Sequence, residues 1–222
     1  MIRHKARKER FEVGESSEWN DDHHIDFEDE LTQSWVFSST NIPDEFTTST
    51  TGSATINVGM HDNHNFLNIV TGTTSGSIGS LILGNANVTN KNDLPVFTIA
   101  LKLETTDQIE FGFFDYSTSP FTSNQKGAYF KISEGKVYAV TSDGTNKTET
   151  EIGEVSTYNQ YRIEFTSSDV RFYVGSLYDV DATHTTNITN DNLTIKVSAK
   201  TYGSTSQIVR IDGIALTRLR KK

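Results

Sequence analysis

The chain has 222 residues, 29 of them acidic and 20 basic, for a formal net charge of −9, and it contains no cysteine. A chain of this length buries about 70% of its unfolded surface, so one core suffices without covalent staples. Disulfides, zinc–thiolate sites and thiol nucleophiles are thereby excluded. The lack of any run of about 18 apolar residues excludes a spanning helix, and no apolar segment follows the basic start, so the sequence reads as a soluble protein without a signal peptide or membrane insertion.

Charge is concentrated at the ends. Arg3, Lys5, Arg7, Lys8 and Arg10 stand at one end and Arg218, Arg220, Lys221 and Lys222 at the other. Setting these nine aside with Glu9 leaves 11 basic residues (20 less nine) against 28 acidic ones (29 less one), a body charge of −17. Phosphate binding needs a basic face on the fold itself, so an acidic body argues against nucleic acid as a partner. The ends either grip an acidic neighbour, with Arg3, Lys5, Arg7, Lys8, Arg10 and Phe11 as the contacts of an arm, or are solvated tails. The expected organisation is a basic arm or edge strand over 1–18, a single domain over 19–219 and a basic tail over 220–222.

In chain order, the acidic stretch 19–30 carries His23 and His24, which as strand neighbours point to opposite faces and cannot share a metal. Residues 34–38 predict a short strand, and Pro43 and Asp44 a turn. Residues 47–53 read as a Thr/Ser-rich loop. Ala54, Ile56 and Val58 alternate as on a half-buried strand. His61, Asp62 and His64 then fall in one turn: a weak candidate metal set, against the alternative of a hydrogen-bonded hairpin turn. A strand from Phe66 to Val70 precedes a Gly/Ser/Thr loop that lacks the Gly-Lys-Ser/Thr ending of a phosphate-binding loop and any GxGxxG. Residues 78–83 predict another strand and 85–92 a polar connection.

The strongest core strand spans 95–103, where Phe97, Ile99, Leu101 and Leu103 share one face. Residues 109–115 repeat the pattern with Ile109, Phe111 and Phe113, and Gly112 suits a bulge or a close approach from the opposite sheet. This strand also tests for an enzyme. Sandwich-fold glucanases carry carboxylates on alternate residues of one strand, about 5 Å apart for a retaining mechanism. Here Glu110, Gly112 and Phe114 share a face and Asp115 lies on the other. The same-face pair is missing, so Glu110 reads as a sheet-surface carboxylate, Asp115 as a strand-end residue, and no catalytic residue is assigned. No Gly-x-Ser-x-Gly elbow accompanies any of the six histidines, and no cofactor signature occurs.

From Lys126 to Ile188, strand-like runs at 129–132, 136–141, 148–152, 160–165 and 170–174 alternate with turns such as Glu134-Gly135 and Asp143-Gly144. Residues 193–200 and 207–219 alternate likewise. Four Asn-x-Thr triplets, at Asn87, Asn146, Asn187 and Asn192, are acceptor sequences for glycosylation. About thirteen or fourteen strands and no helix predict an all-β, antiparallel two-sheet sandwich of jelly-roll type.

Seven segments carry a family resemblance: Gly127–Phe130, Ala139–Thr145, Thr148–Gly153, Tyr161–Phe165, Phe172–Val174, Ala182–Ile188 (ATHTTNI) and Asp212–Leu216. Together they resemble the concanavalin A-like, laminin G-like sandwich modules of structural proteins in tailed viruses. The loop Gly175–Asp181 is longer than in that family, and Thr189 stands where its members have proline. The resemblance implies a non-enzymatic virion protein, part of the capsid surface or tail and attached through its arm to capsid or tail proteins, with a homo-oligomer expected. The alternative is a carbohydrate- or receptor-binding module for host-surface glycans, for which Tyr116, Phe121 and Tyr178 are candidate stacking residues, with Tyr158 and Tyr202 as further exposed aromatics.

Overall fold

The computed structural model describes residues 30–37, 41–61, 64–84, 86–105 and 107–219. The basic arm (Arg3, Lys5, Arg7, Lys8, Arg10 and Phe11), His23, His24, Asp62 and the tail 220–222 lie outside the described residues.

Sixteen strands fill the described residues. The first eight are β1 (Glu30–Val36), β2 (Phe46–Thr50), β3 (Thr55–His61), β4 (His64–Val70), β5 (Ile78–Leu83), β6 (Thr89–Asn90), β7 (Val96–Leu103) and β8 (Ile109–Phe114). The rest are β9 (Lys126–Ser133), β10 (Lys136–Asp143), β11 (Lys147–Glu154), β12 (Tyr158–Phe165), β13 (Val170–Val174), β14 (Ala182–His184), β15 (Asn192–Lys200) and β16 (Ile208–Leu219). The helical content of the described residues is a single 3-10 turn, Lys91–Asp93.

Two antiparallel sheets result. One has the order β14-β13-β12-β7-β16-β4-β3, with β1 paired to β16; the other has the order β11-β10-β9-β8-β15-β5-β2, with β6 paired to β15. Strict alternation in Val96–Leu103 sends Phe97, Ile99, Leu101 and Leu103 inward and makes β7 a central strand. The sheets meet through aromatic edges: Tyr161 of the first sheet packs 4.9 Å from Phe111 and 5.2 Å from Phe130 of the second, centroid to centroid, and Phe97 lies 5.8 Å from Phe113. Edge-to-face pairs of this kind add to the area they bury. Gly112 bears out the expected close approach: a Cβ there would lie 2.7 Å from Cδ1 of Ile163 in the opposite sheet, at a φ of 143°.

Three strands depart from the sequence reading. Phe46–Thr50 is an edge strand rather than loop, because its threonines need no apolar neighbours to pair with β5, while Phe46 is buried against Trp35. Thr89–Asn90 pairs with β15 inside the expected polar connection. Ala182–His184 forms an edge strand on β13 within the ATHTTNI segment.

That segment stitches the two sheets at one end. His184 is buried and held on both ring nitrogens, with Nδ1 3.0 Å from Thr141 Oγ1 and Nε2 3.0 Å from Thr150 Oγ1. Thr141 Oγ1 donates to the Thr186 carbonyl, and Asn187 Nδ2 donates to Thr148 Oγ1.

Candidate functional site

The outer face of the second sheet carries the chemistry. Cross-strand register sets its side chains in rows: Ser80, Ser198, Glu110, Lys131, Tyr138 and Glu151 in one, and Lys196, Gly112, Tyr129, Val140 and Glu149 in the next. These are the strand positions left over once the core face is assigned. They would be wet if nothing covered them. Every residue of β8 is nevertheless buried, because the connection 115–125 folds back over the sheet.

Glu110 holds the far end of this roof. Its Oε2 accepts the Phe121 backbone N–H at 3.0 Å and the Gln125 Nε2 at 2.8 Å. Only 6% of Glu110 is exposed, which corrects its reading as a sheet-surface carboxylate: the roof loop, not the strand pattern, decides its burial. Burial pushes its carboxyl above the usual range, against the opposing hydrogen bonds of Gln125 and Phe121 and the charges of Lys131 and Lys147.

Lys196 holds the near end. Its Nζ donates to the carbonyls of Asp115, Tyr116 and Thr118 at 2.8, 2.9 and 2.7 Å. Burial pushes its ammonium down to about 8, countered by the Asp115 carboxylate. Asp115 does lie at the strand end as expected. Burial raises its carboxyl, but hydrogen bonds from the Ser117 N–H and hydroxyl outweigh that and keep it below the usual range. Asn87 Oδ1 accepts the Tyr116 N–H at 2.7 Å and ties the loop to a neighbouring connection.

Beside the roof an open recess of about 300 Å³ is lined by Gln108, Glu110, Phe121, Gln125, Tyr129, Lys131 and Ser142, among others. Glu110 is the only carboxylate among its lining residues. Phe121 has a φ of 60°, in the left-handed region where residues other than glycine are uncommon, and its N–H is the one bonded to Glu110. The ring of Tyr129 stacks on Phe114 at 4.7 Å. Lys131 and Lys147 flank the recess and share Glu149, at 2.8 and 3.0 Å.

The sequence-predicted aromatics are split. Phe121 lines the recess, Tyr116 sits on the same loop 5.8 Å (ring centroid) from Lys196 Nζ, and Tyr178 stands apart in the loop between β13 and β14, where it is 74% exposed. Tyr158 donates to Asp212 at 2.8 Å on the first sheet. His61 and His64 face each other as the last cross-strand pair of β3 and β4, and His61 Nε2 lies 3.5 Å from Glu104. Among the described residues no group of three or more His, Cys, Asp or Glu is placed to hold a metal ion.

Sequence reasoning missed Gln108, Gln125, Tyr129, Lys131, Ser142 and Lys196. A lysine inside the apolar run LTIKVSAK was the available signal for Lys196, and alternation in Tyr129–Ile132 placed Tyr129 and Lys131 on the face of Glu110.

No family model and no curated protein matches the chain. Solved structures do. A protein of unknown function from Shewanella oneidensis MR-1 is similar with a TM-score of 0.61 at 15% identity, over 87% of this chain and 90% of that one. The exoplasmic/lumenal domain of VIP36, in its Ca2+/Man3GlcNAc-bound form, gives 0.57 at 10% identity over 85% and 89%. A β-1,3-1,4-glucanase (lichenase) derived from a mouse hindgut metagenome gives 0.57 at 10% identity over 83% and 98%. The fold is a concanavalin A-like β-sandwich. Among the sandwiches named here are a sugar-bound domain and a glucanase. At these identities the likeness carries the fold alone.

Proposed function

We propose that this protein is a carbohydrate-binding module whose combining site is the recess beside the 115–125 roof. The observation that carries the reading is the pairing of Phe121 with Glu110. An aromatic side chain is held at a strained backbone angle, at the lip of a polar recess, by a carboxylate buried beneath it. Strain of this kind costs of order 1–3 kcal/mol and persists where surroundings over-determine it, and such positions cluster at ligand sites. An aromatic face for a sugar ring, with amides, hydroxyls and lysines around it, is the mix that fixes a polar ligand in a shallow site. The sandwich likeness to VIP36, crystallised with Man3GlcNAc, supports the same reading.

Binding fits better than hydrolysis. Glu110 is the one carboxylate among the residues that line the recess. Glycosidases hold their two carboxyl groups about 5–9.5 Å apart. Calcium, present in the VIP36 complex, does not fit the roof either. The carbonyls of Asp115, Tyr116 and Thr118 already accept from the Lys196 ammonium, and the Asp115 carboxylate is taken up by Ser117. A divalent cation there would meet a fixed positive charge instead of a cage of free oxygens.

A glycan array followed by titration calorimetry tests the proposal: binding that disappears in Phe121→Ala, with the fold retained, supports it, and the absence of any bound glycan refutes it.

A virion setting is a second reading, and its support is the motif resemblance. The residues of that resemblance include Thr141, Thr148, Thr150, His184, Thr186 and Asn187, which join the sheets to each other. A likeness carried by stitching residues argues for a common scaffold more than for a common task. Deleting residues 1–10 is expected to abolish incorporation into particles while the sandwich stays folded; unchanged incorporation would end the anchoring idea.

A further inference from the structure

Lys196 sits on the recess side of β15 between Thr194 and Ser198, all three buried. A lysine at such a position ordinarily extends its amine to water. Here the amine turns into the roof loop and meets three backbone carbonyls, of residues 115, 116 and 118. Oxygen donors converging on one positive centre are the arrangement by which a bound metal ion orders a loop. The ring of Tyr116 adds a fourth contact, 5.8 Å from the nitrogen to the centroid. The Asp115 carbonyl also accepts the Thr118 N–H at 3.3 Å, but without the ammonium the carbonyls of Tyr116 and Thr118 would be left to water.

The opposite end of the loop is fixed by a carboxyl group. Glu110, opposite Ser198 in register, takes the Phe121 N–H, so the loop hangs between a buried ammonium that binds its carbonyls and a buried carboxyl oxygen that binds its amide. The two ends see opposite backbone polarity, and only one orientation of the loop satisfies both.

We propose that the Lys196 ammonium is the built-in cation that orders the roof loop, so that the recess holds its shape, and takes its ligand, without a divalent metal. Lys196 is a positioning residue: it reaches the ligand only through Phe121 and the loop that carries it. The ligand clause rests on the carbohydrate-binding reading; the loop clause does not.

The test measures hydrogen exchange of the full-length protein, free of ligand, at the amides of 116–125. In Lys196→Met, protection of Tyr116 and Phe121 is expected to fall by about tenfold to a hundredfold, in line with the loss of charge-assisted hydrogen bonds. Protection in β8 and β9 should hold. In Lys196→Ala, propylammonium should restore the loop in proportion to its concentration, a rescue that a purely packing role would not give. Loop protection unchanged in the methionine variant overturns the proposal. Should the variants fail to fold, the native protein decides: chelation by EDTA and addition of calcium are both expected to leave loop exchange and glycan affinity as they were, and a loop that opens on chelation overturns the proposal. A native protein with an ordered, metal-independent loop that binds no glycan would refute the functional reading and leave the role of Lys196 standing.

Discussion

Nε2 of Gln125 donates to Oε2 of Glu110 at 2.8 Å, under a loop that hides both side chains from water. The consequence is a pH dependence with a definite sign. Because burial raises the carboxyl in the folded state, folding is favoured while the group is protonated and penalised as it ionises. Relative to Glu110→Gln, the native protein should therefore lose stability as pH rises from the unfolded carboxyl value of about 4.5 through the raised folded one. Thermal melts of both proteins at pH 4 and pH 7 check this. A difference in melting temperature that is the same at both pH values contradicts it.

His184 behaves in the opposite sense. Burial lowers its pKa below the ordinary histidine value, so the neutral ring is the folded form. Its contribution is fully present above about pH 6.5 and is lost as pH falls below that value toward the folded pKa. With Thr141 donating to the Thr186 carbonyl, Nδ1 carries the proton toward Thr141 and Nε2 accepts from Thr150. His184→Ala removes two hydrogen bonds and is expected to cost about 1–3 kcal/mol at neutral pH, a penalty that narrows in chemical denaturation series carried out at pH 5.

Gly127 opens the Gly127–Phe130 segment because nothing larger fits. A Cβ there would lie 2.0 Å from the Phe113 carbonyl oxygen, at a φ of 150°. Gly127→Ala must push β8 and β9 apart beneath the recess and is expected to destabilise by more than about 3 kcal/mol. Soluble yield and melting temperature report it; a variant within about 1 kcal/mol of the native protein would contradict the pairing of these strands.

Much of this architecture can be read from residue patterns and some of it cannot. Val96–Leu103 declares itself by alternation, and Val170–Val174 and Ile78–Leu83 match their expected bounds. Phe46–Thr50 was hidden because a threonine-rich edge strand has the composition of a loop. Glu110 and Lys196 were illegible for a different reason. Both stand on the non-core face of their strands, where a charge is ordinarily solvated, and what buries them is a loop returning over the sheet, which leaves no periodic trace. Alternation names the face a residue takes but not what covers it.

Tyr161 offers a test of the core. Its hydroxyl is buried between the sheets and meets no hydrogen-bonding protein group among the described residues, and burial pushes its pKa up to about 12. Tyr161→Phe keeps the ring edges against Phe111 and Phe130 and is expected to be neutral or to stabilise by about 1 kcal/mol. Phe130→Ala, which empties the same cluster, should cost about 3–5 kcal/mol. Urea denaturation of the pair checks both, and a large loss in Tyr161→Phe would reveal a partner for that hydroxyl.

The recess itself is tested most directly by titrating the protein with glycans that score on an array, in parallel with Phe121→Ala and a Tyr178→Ala control. Tyr178 is exposed and remote from the recess. Saturable binding that falls at least about tenfold in Phe121→Ala and is unchanged in Tyr178→Ala is the predicted result. Binding that survives Phe121→Ala, or is lost instead with Tyr178, would contradict the assignment of the site.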